Sequence, residues 1–116
     1  MEKYYIEHVA EYCDIPKSKL RYYEKKEILK NIERDSNNKR LYTKDDIEMI
    51  KFIKCLSNLN MPLKDIQTNT NMLYENKIDV ETILKAHLEF LNEQRNLISS
   101  HIDIIETELQ KETSPL

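Results

Sequence analysis

The sequence predicts a mostly α-helical chain, with a small two-stranded hairpin in its first half and one long, dimerising coiled-coil helix in its second. Three observations lead there. Apolar residues recur every three or four positions through most of the 116 residues, and the chain holds no glycine. A polar, aperiodic stretch interrupts the pattern at residues 31–43. Beyond residue 79 the spacing settles into sevens over an uninterrupted run. Charged residues at 34% and hydrophobic residues at 40% fit a heavily solvated helical protein with a modest core.

A first helix is expected from about Ile6 to Tyr12, where Ile6, Val9 and Ala10 share a face. It ends at "CDIP", with Asp14 as a turn or cap residue and Pro16 suited to the opening of the next helix. The second runs from about Lys17 to Lys26, with Leu20 and Tyr23 inward. Two short helices joined by a tight turn, the second loaded with Arg, Lys and Tyr, form a helix-turn-helix pattern. Next, Asp35-Ser36-Asn37-Asn38 is a turn signal, because these residues tolerate left-handed backbone and cap their own turns. Extended arms on either side make a two-stranded wing carrying Arg34, Lys39, Arg40 and Tyr42.

Thr43 is the expected N-cap of a third helix, with Asp45 and Asp46 favouring its dipole. Ile47, Ile50, Ile53, Leu56 and Leu59 are its expected buried row. "NMP" breaks the pattern, and a fourth helix from Pro62 should bury Leu63 and Ile66, with Met72 and Leu73 as further inward candidates. Its end, "TNTNMLYENK", is polar and poorly periodic, and reads as a frayed end or hinge. From Asp79 to about Lys111, Leu84, Leu91, Ile98 and Ile105 form one heptad series, and Leu88, Arg95, Ile102 and Leu109 the companion. Arg95 in the seam lowers stability but fixes register. About 33 residues at ~1.5 Å each make a rod of roughly 50 Å. The other helices are too short to cover it, so a second copy is the expected partner.

Charge divides the chain. Residues 16–44 carry ten Lys/Arg against four Asp/Glu, whereas residues 61–116 carry five against ten. The net of -3 hides a basic block that calls for an anionic partner. No run reaches the ~18 apolar residues of a membrane span, and no basic-then-apolar leader opens the chain, so a soluble cytoplasmic protein is expected. Cys13 and Cys55 form no CxxC, which argues against a disulfide framework or a zinc site. No cofactor is expected. There is no paired acid/base cluster and no Gly-rich phosphate loop, so an enzyme is not expected.

"LRYYEKKEIL" followed by "RDSNNKRLYTKDDIEMIKFIKCLSNLNMPLKDI" resembles the MerR family of bacterial transcription regulators, over roughly residues 4–73. The resemblance implies a winged-helix DNA-binding domain at residues 1–75, an antiparallel coiled-coil dimerisation helix at 76–112 and a flexible tail at 113–116. It implies two copies on a pseudo-palindromic operator, which activate RNA polymerase at overlong promoters by distorting the DNA. The second helix would enter the major groove, with Lys17, Ser18 and Lys19 at its start, Arg21 on phosphate or a guanine edge, and Tyr22 outward. In the wing, Arg40 and Tyr42 would meet the backbone or minor groove, with Arg34 and Lys39 as weaker candidates. The seam of Leu84, Leu88, Leu91, Arg95, Ile98, Ile102, Ile105 and Leu109 would dimerise. The family usually has Gly where this chain has Glu27, Asn38 and Asn60; Asn tolerates the left-handed backbone, but Glu27 suggests a differently built exit from the second helix.

The sequence runs only a few residues past the coiled coil, so a separate drug-binding domain is not expected. Metal-sensing relatives place cysteines around the long helix; here there are none, and His87 and His101 read as solvent-exposed flank residues. Cys55 resembles the single cysteine of a subgroup that responds to aldehydes and other electrophiles, with Lys51, Lys54, Lys64 or the next helix N-terminus stabilising its thiolate. The ordinary alternative is a small buried hydrophobe, which is also the reading of Cys13. Two further functions compete: an effector-free DNA-binding repressor, and a coiled-coil adaptor whose basic block meets an acidic protein.

Overall fold

The computed structural model describes residues 2–112; the expected tail at 113–116 lies outside them. The order is α1 (Ile6–Cys13), α2 (Lys17–Lys25), β1 (Glu33–Arg34), β2 (Arg40–Leu41), α3 (Lys44–Asn58), α4 (Leu63–Tyr74) and α5 (Val80–Glu112). The fold is a mostly helical, winged helix-turn-helix head followed by a long C-terminal helix. Two compact units divide at Ile78 and Asp79.

In the head, α1 packs on α2 and on α3, and α3 packs on α4. The core is built at helical spacing: Ile6, Val9 and Cys13 from α1, Leu20 and Tyr23 from α2, and Ile47, Ile50, Ile53 and Leu56 from α3. Ile66 from α4, Tyr42 after β2, and Ile15, Ile28, Leu29 and Met61, each just beyond a helix end, also belong to it. Thr43 caps α3 in a reciprocal box: its hydroxyl accepts from Asp46 N at 3.2 Å, and Asp46 returns a carboxylate to Thr43 N at 2.8 Å. Burial pushes the Asp46 carboxyl above its ordinary value, and the hydrogen bonds it receives from the Thr43 amide and side chain hold it down against that.

All four head helices end alike. Asp14, Glu27, Asn60 and Asn76 take left-handed backbone, with φ of 52°, 59°, 61° and 56°. The next amide then reaches five residues back: Ile15 N to Ala10 O, Ile28 N to Tyr23 O, Met61 N to Leu56 O, and Lys77 N to Met72 O. A chain without glycine thus closes every head helix with a side-chain-bearing residue. Three are Asp or Asn, which adopt this conformation readily; Glu27 does so against its preference. The exit from α2 is therefore not built differently, as the sequence suggested. The backbone bonds around Ile28 impose the turn on Glu27.

Three further expectations change. Leu59 is the exposed C-cap of α3, and Leu63 is exposed at the first turn of α4. The expected frayed region is helical through Tyr74. There Thr70 is fully buried with its hydroxyl donating to Gln67 O at 3.2 Å, and the Tyr74 hydroxyl accepts from Lys30 N at 3.1 Å. Those hydrogen bonds replace the apolar periodicity that the sequence lacks.

At the start of α5, hydrogen bonding by the Thr82 side chain, and then by Thr82 N, which donates to Asp79 at 2.8 Å, lowers the Asp79 carboxyl below the ordinary range. Leu84, Leu88, Leu91, Ile98, Ile102, Ile105 and Leu109 are all exposed in the single chain, as is Arg95. Phe90, Leu97 and Ile104 form a second exposed row, also seven apart. His87 is buried, not exposed as expected, with its ring stacked 5.8 Å from Phe90 one turn on; His101 is exposed. No described helix is long and apolar enough to cross a membrane.

Candidate nucleic-acid interface

Helix α2 presents its cations because its apolar residues face the other way. Leu20 and Tyr23, three apart, are buried, which leaves Lys17, Ser18, Lys19, Arg21 and Tyr22 exposed on the rest of the cylinder. Tyr22 is 41% exposed, and Lys26 Nζ lies 5.8 Å from its ring centroid. Lys19 Nζ lies 5.9 Å from the Tyr23 ring, so its stem covers the buried aromatic while its charge stays outside.

The wing is a minimal antiparallel hairpin in which Glu33 faces Leu41 and Arg34 faces Arg40. Its turn is held by one carboxylate. Asp35 accepts from Asn37 N at 2.8 Å, Lys39 N at 2.9 Å and the Tyr5 hydroxyl at 2.9 Å. The backbone bond from Lys39 is the main reason its carboxyl lies below the ordinary range. Asn38 supplies the left-handed residue, at φ 64°. Lys3 Nζ pairs with Glu33 at 2.6 Å and ties the N-terminal segment to β1.

Arg34 and Arg40 are cross-strand neighbours of like charge, and both turn to Glu24 of α2. Arg40 Nε donates to Glu24 Oε1 at 2.5 Å. Arg34 Nη2 donates at 3.3 and 3.4 Å, and its Nη1 reaches Asn38 O at 3.5 Å. Glu24 and Arg40 are half-buried; Arg34 and Lys39 are exposed. Sequence reasoning gave Glu24 no role, although it stands within "LRYYE", because its partners lie 10 and 16 residues away.

Tyr42 does not join this surface. It is 0% exposed, and its backbone forms a bridge with Tyr4 through bonds of 2.9 and 2.8 Å. The reason is alternation. Arg40 and Tyr42, two apart on an extended segment, share a face, and that face turns toward α2. Burial pushes the Tyr42 phenol up to about 12, and its hydroxyl has no hydrogen-bond partner among the described residues.

Cys55 is exposed on α3, so it is not the small buried hydrophobe of the ordinary alternative. Two of the lysines expected beside its thiol work elsewhere. Lys54 Nζ donates to the Cys13 and Asp14 carbonyls at 2.8 and 2.9 Å and closes the end of α1. Lys51 Nζ lies 4.9 Å from the Tyr12 ring centroid and 3.5 Å from Glu48. Cys13 is buried, and burial pushes its thiol above the ordinary value. No group of three or more His, Cys, Asp or Glu among the described residues could hold a metal.

The family pattern described as MerR HTH family regulatory protein matches residues 4–73. An uncharacterized HTH-type transcriptional regulator of Haemophilus influenzae is 29% identical over 106 residues, 86% of this chain and 76% of the relative. The crystal structure of HiNmlR, a MerR family regulator lacking the sensor domain, bound to promoter DNA, matches with a TM-score of 0.63 at 25% identity. It covers 94% of this chain and 80% of that one. The N-terminal part of MtaN, the Bacillus subtilis multidrug transporter activator, shares the fold with a TM-score of 0.74 at 24% identity, over 91% of this chain and 97% of that one.

Proposed function

The chain belongs to the MerR HTH family and is a DNA-binding transcriptional regulator, and from that premise we propose that it grips a pseudo-palindromic promoter site as a homodimer. Residues up to about 75 are the DNA-binding domain, and 76–112 are an antiparallel coiled-coil dimerisation helix. The observation that carries this reading is the pairing, in one head, of exposed Lys17, Ser18, Lys19, Arg21 and Tyr22 on α2 with the arginine-bearing wing. α2 enters the major groove, and Lys39 and Arg40 of the wing meet phosphates beside it. The exposed row from Leu84 to Leu109 on α5 supports the dimer, because contiguous apolar surface of that length calls for a partner.

Two heads on one stiff strut convert a change of angle into bending or untwisting of the DNA between them, whose cost depends on sequence. The regulator thereby brings promoter elements into register for RNA polymerase. The signal is an electrophile such as an aldehyde, taken up at Cys55. Its thiolate adds to the carbonyl carbon, and the resulting alkoxide takes a proton to give a hemithioacetal. Exposure of the thiol supports this step. A second reading, an effector-free repressor, is favoured by the engagement of Lys51 and Lys54 away from Cys55.

Footprinting the promoter of its own gene and transcribing it in vitro, with and without formaldehyde, separates the two. Cys55→Ser should protect the same site as the unaltered protein yet lose the response to formaldehyde. An unchanged response overturns the sensor role, and an unaltered protein that only blocks transcription establishes the repressor.

A further inference from the structure

We infer that Glu24 is a positioning residue for DNA binding, one that acts on the duplex through Arg40 and makes no contact of its own with it. The inference rests on the DNA-binding reading above and adds a residue that reading does not use. A carboxylate on a helix approaching phosphates is on its face unfavourable: two like unit charges 4 Å apart repel by about 1 kcal/mol even in bulk water. Glu24 nonetheless stands, half-buried, at the margin between the buried side of α2 and its cationic face.

The geometry gives the reason. In the hairpin register Arg34 stands directly opposite Arg40. Like charges so placed destabilise a strand pair unless something neutralises them. Glu24 Oε1 receives both guanidinium groups, from Arg40 Nε at 2.5 Å and from Arg34 Nη2 at 3.3 Å. It is the one link of this kind, among the described residues, between an α2 side chain and the wing strands.

The two arginines are used differently. Arg34 is braced at both ends of its guanidinium, by Glu24 and by Asn38 O. Arg40 is held only through Nε, and among the described residues its two terminal amino groups make no hydrogen bond. A guanidinium gripped on its Nε edge keeps four donors in a fixed plane, the fork that suits a phosphate. Arg40 and Glu24 side chains are 23% and 22% exposed, which is enough cover to hold that plane and enough opening to reach the backbone. Arg40 thus makes the phosphate contact, Arg34 stiffens the wing, and Glu24 fixes both to the recognition helix.

The sign of one effect tests this. A fluorescent duplex carrying the footprinted site is titrated, across a series of salt concentrations, with the full-length protein, Glu24→Ala, Arg40→Ala and the double variant. Loss of a mere repulsive charge would tighten binding. Loss of a positioning residue weakens it: we expect Glu24→Ala to lower affinity about tenfold, with the salt slope shallower by ~0.9, one phosphate contact. The double variant should bind no worse than Arg40→Ala alone. Glu24→Gln, which keeps an oxygen to accept from Arg40 Nε, should recover most of the affinity; failure of that rescue would also count against the inference. Thermal melts establish that each variant is folded. Tighter binding by Glu24→Ala, or additive effects in the cycle, overturns the inference alone. An unaltered protein whose affinity ignores salt overturns the DNA-binding reading and this inference with it.

Discussion

In the head, helices of 8 to 15 residues cover one another, so Val9, Leu20, Ile28, Ile50, Ile53 and Leu56 are 0% exposed. In α5, a single helix of 33 residues, the seam from Leu84 to Leu109 stays exposed. The head satisfies its own helix ends and its own apolar faces; α5 has the pattern of a core without a second wall. Burial contributes about 25 cal/mol per Å² of apolar surface, so only association lets the α5 seam contribute. The same contrast separates the two kinds of polar contact. Those in the head include ties between elements far apart in the chain, such as Glu24 with Arg40 and Lys54 with the Cys13 carbonyl, whereas the ion pairs of α5, such as Lys85 with Glu81 at 2.9 Å, are exposed pairs at helical spacing, each adding a few tenths of a kcal/mol.

The largest effect should come from breaking the seam. Leu91→Glu with Ile98→Glu places like charges along it, and should give a single-copy species in sedimentation. Affinity for the promoter site should fall by about a hundredfold or more, since two linked heads exceed one by the effective concentration of the second. The head's thermal transition should survive. A double variant that still dimerises would mean another surface, such as the row of Phe90, Leu97 and Ile104, holds the copies together.

A smaller effect sharpens the head's side of the contrast. Glu27 holds left-handed backbone that costs an L-residue about 1 kcal/mol and glycine almost nothing. Glu27→Gly should therefore raise the stability of the head in urea denaturation by about 1 kcal/mol, less the entropy glycine adds to the unfolded chain. The same change at Asn60 should gain less, because Asn already tolerates this region. No gain at Glu27 would mean that its side chain stabilises the turn in another way.

What could be read in the sequence follows from the range of the interaction. The heptads of α5, the Thr43 cap and the Asp35 turn depend on residues a few positions apart, and each was visible. Alternation said that Arg40 and Tyr42 share a face, but not that the face turns inward, so Tyr42 looked like a DNA contact and is core. Glu24 was in plain view, while its arginine partners become neighbours only when the wing folds over α2. The positive φ of Glu27 was hidden for the opposite reason: a backbone bond outweighs the residue's own preference. Thr70 and Tyr74 kept α4 helical through polar contacts, where apolar periodicity had nothing to show.

The central claim is that two cationic heads, joined by α5, occupy one promoter site together. Measuring the mass of the protein–duplex complex in solution, at protein concentrations that just saturate the footprinted site, tests it most directly. The account predicts two chains on one duplex, with no stable one-chain complex on the way. A single chain bound at full affinity would contradict it.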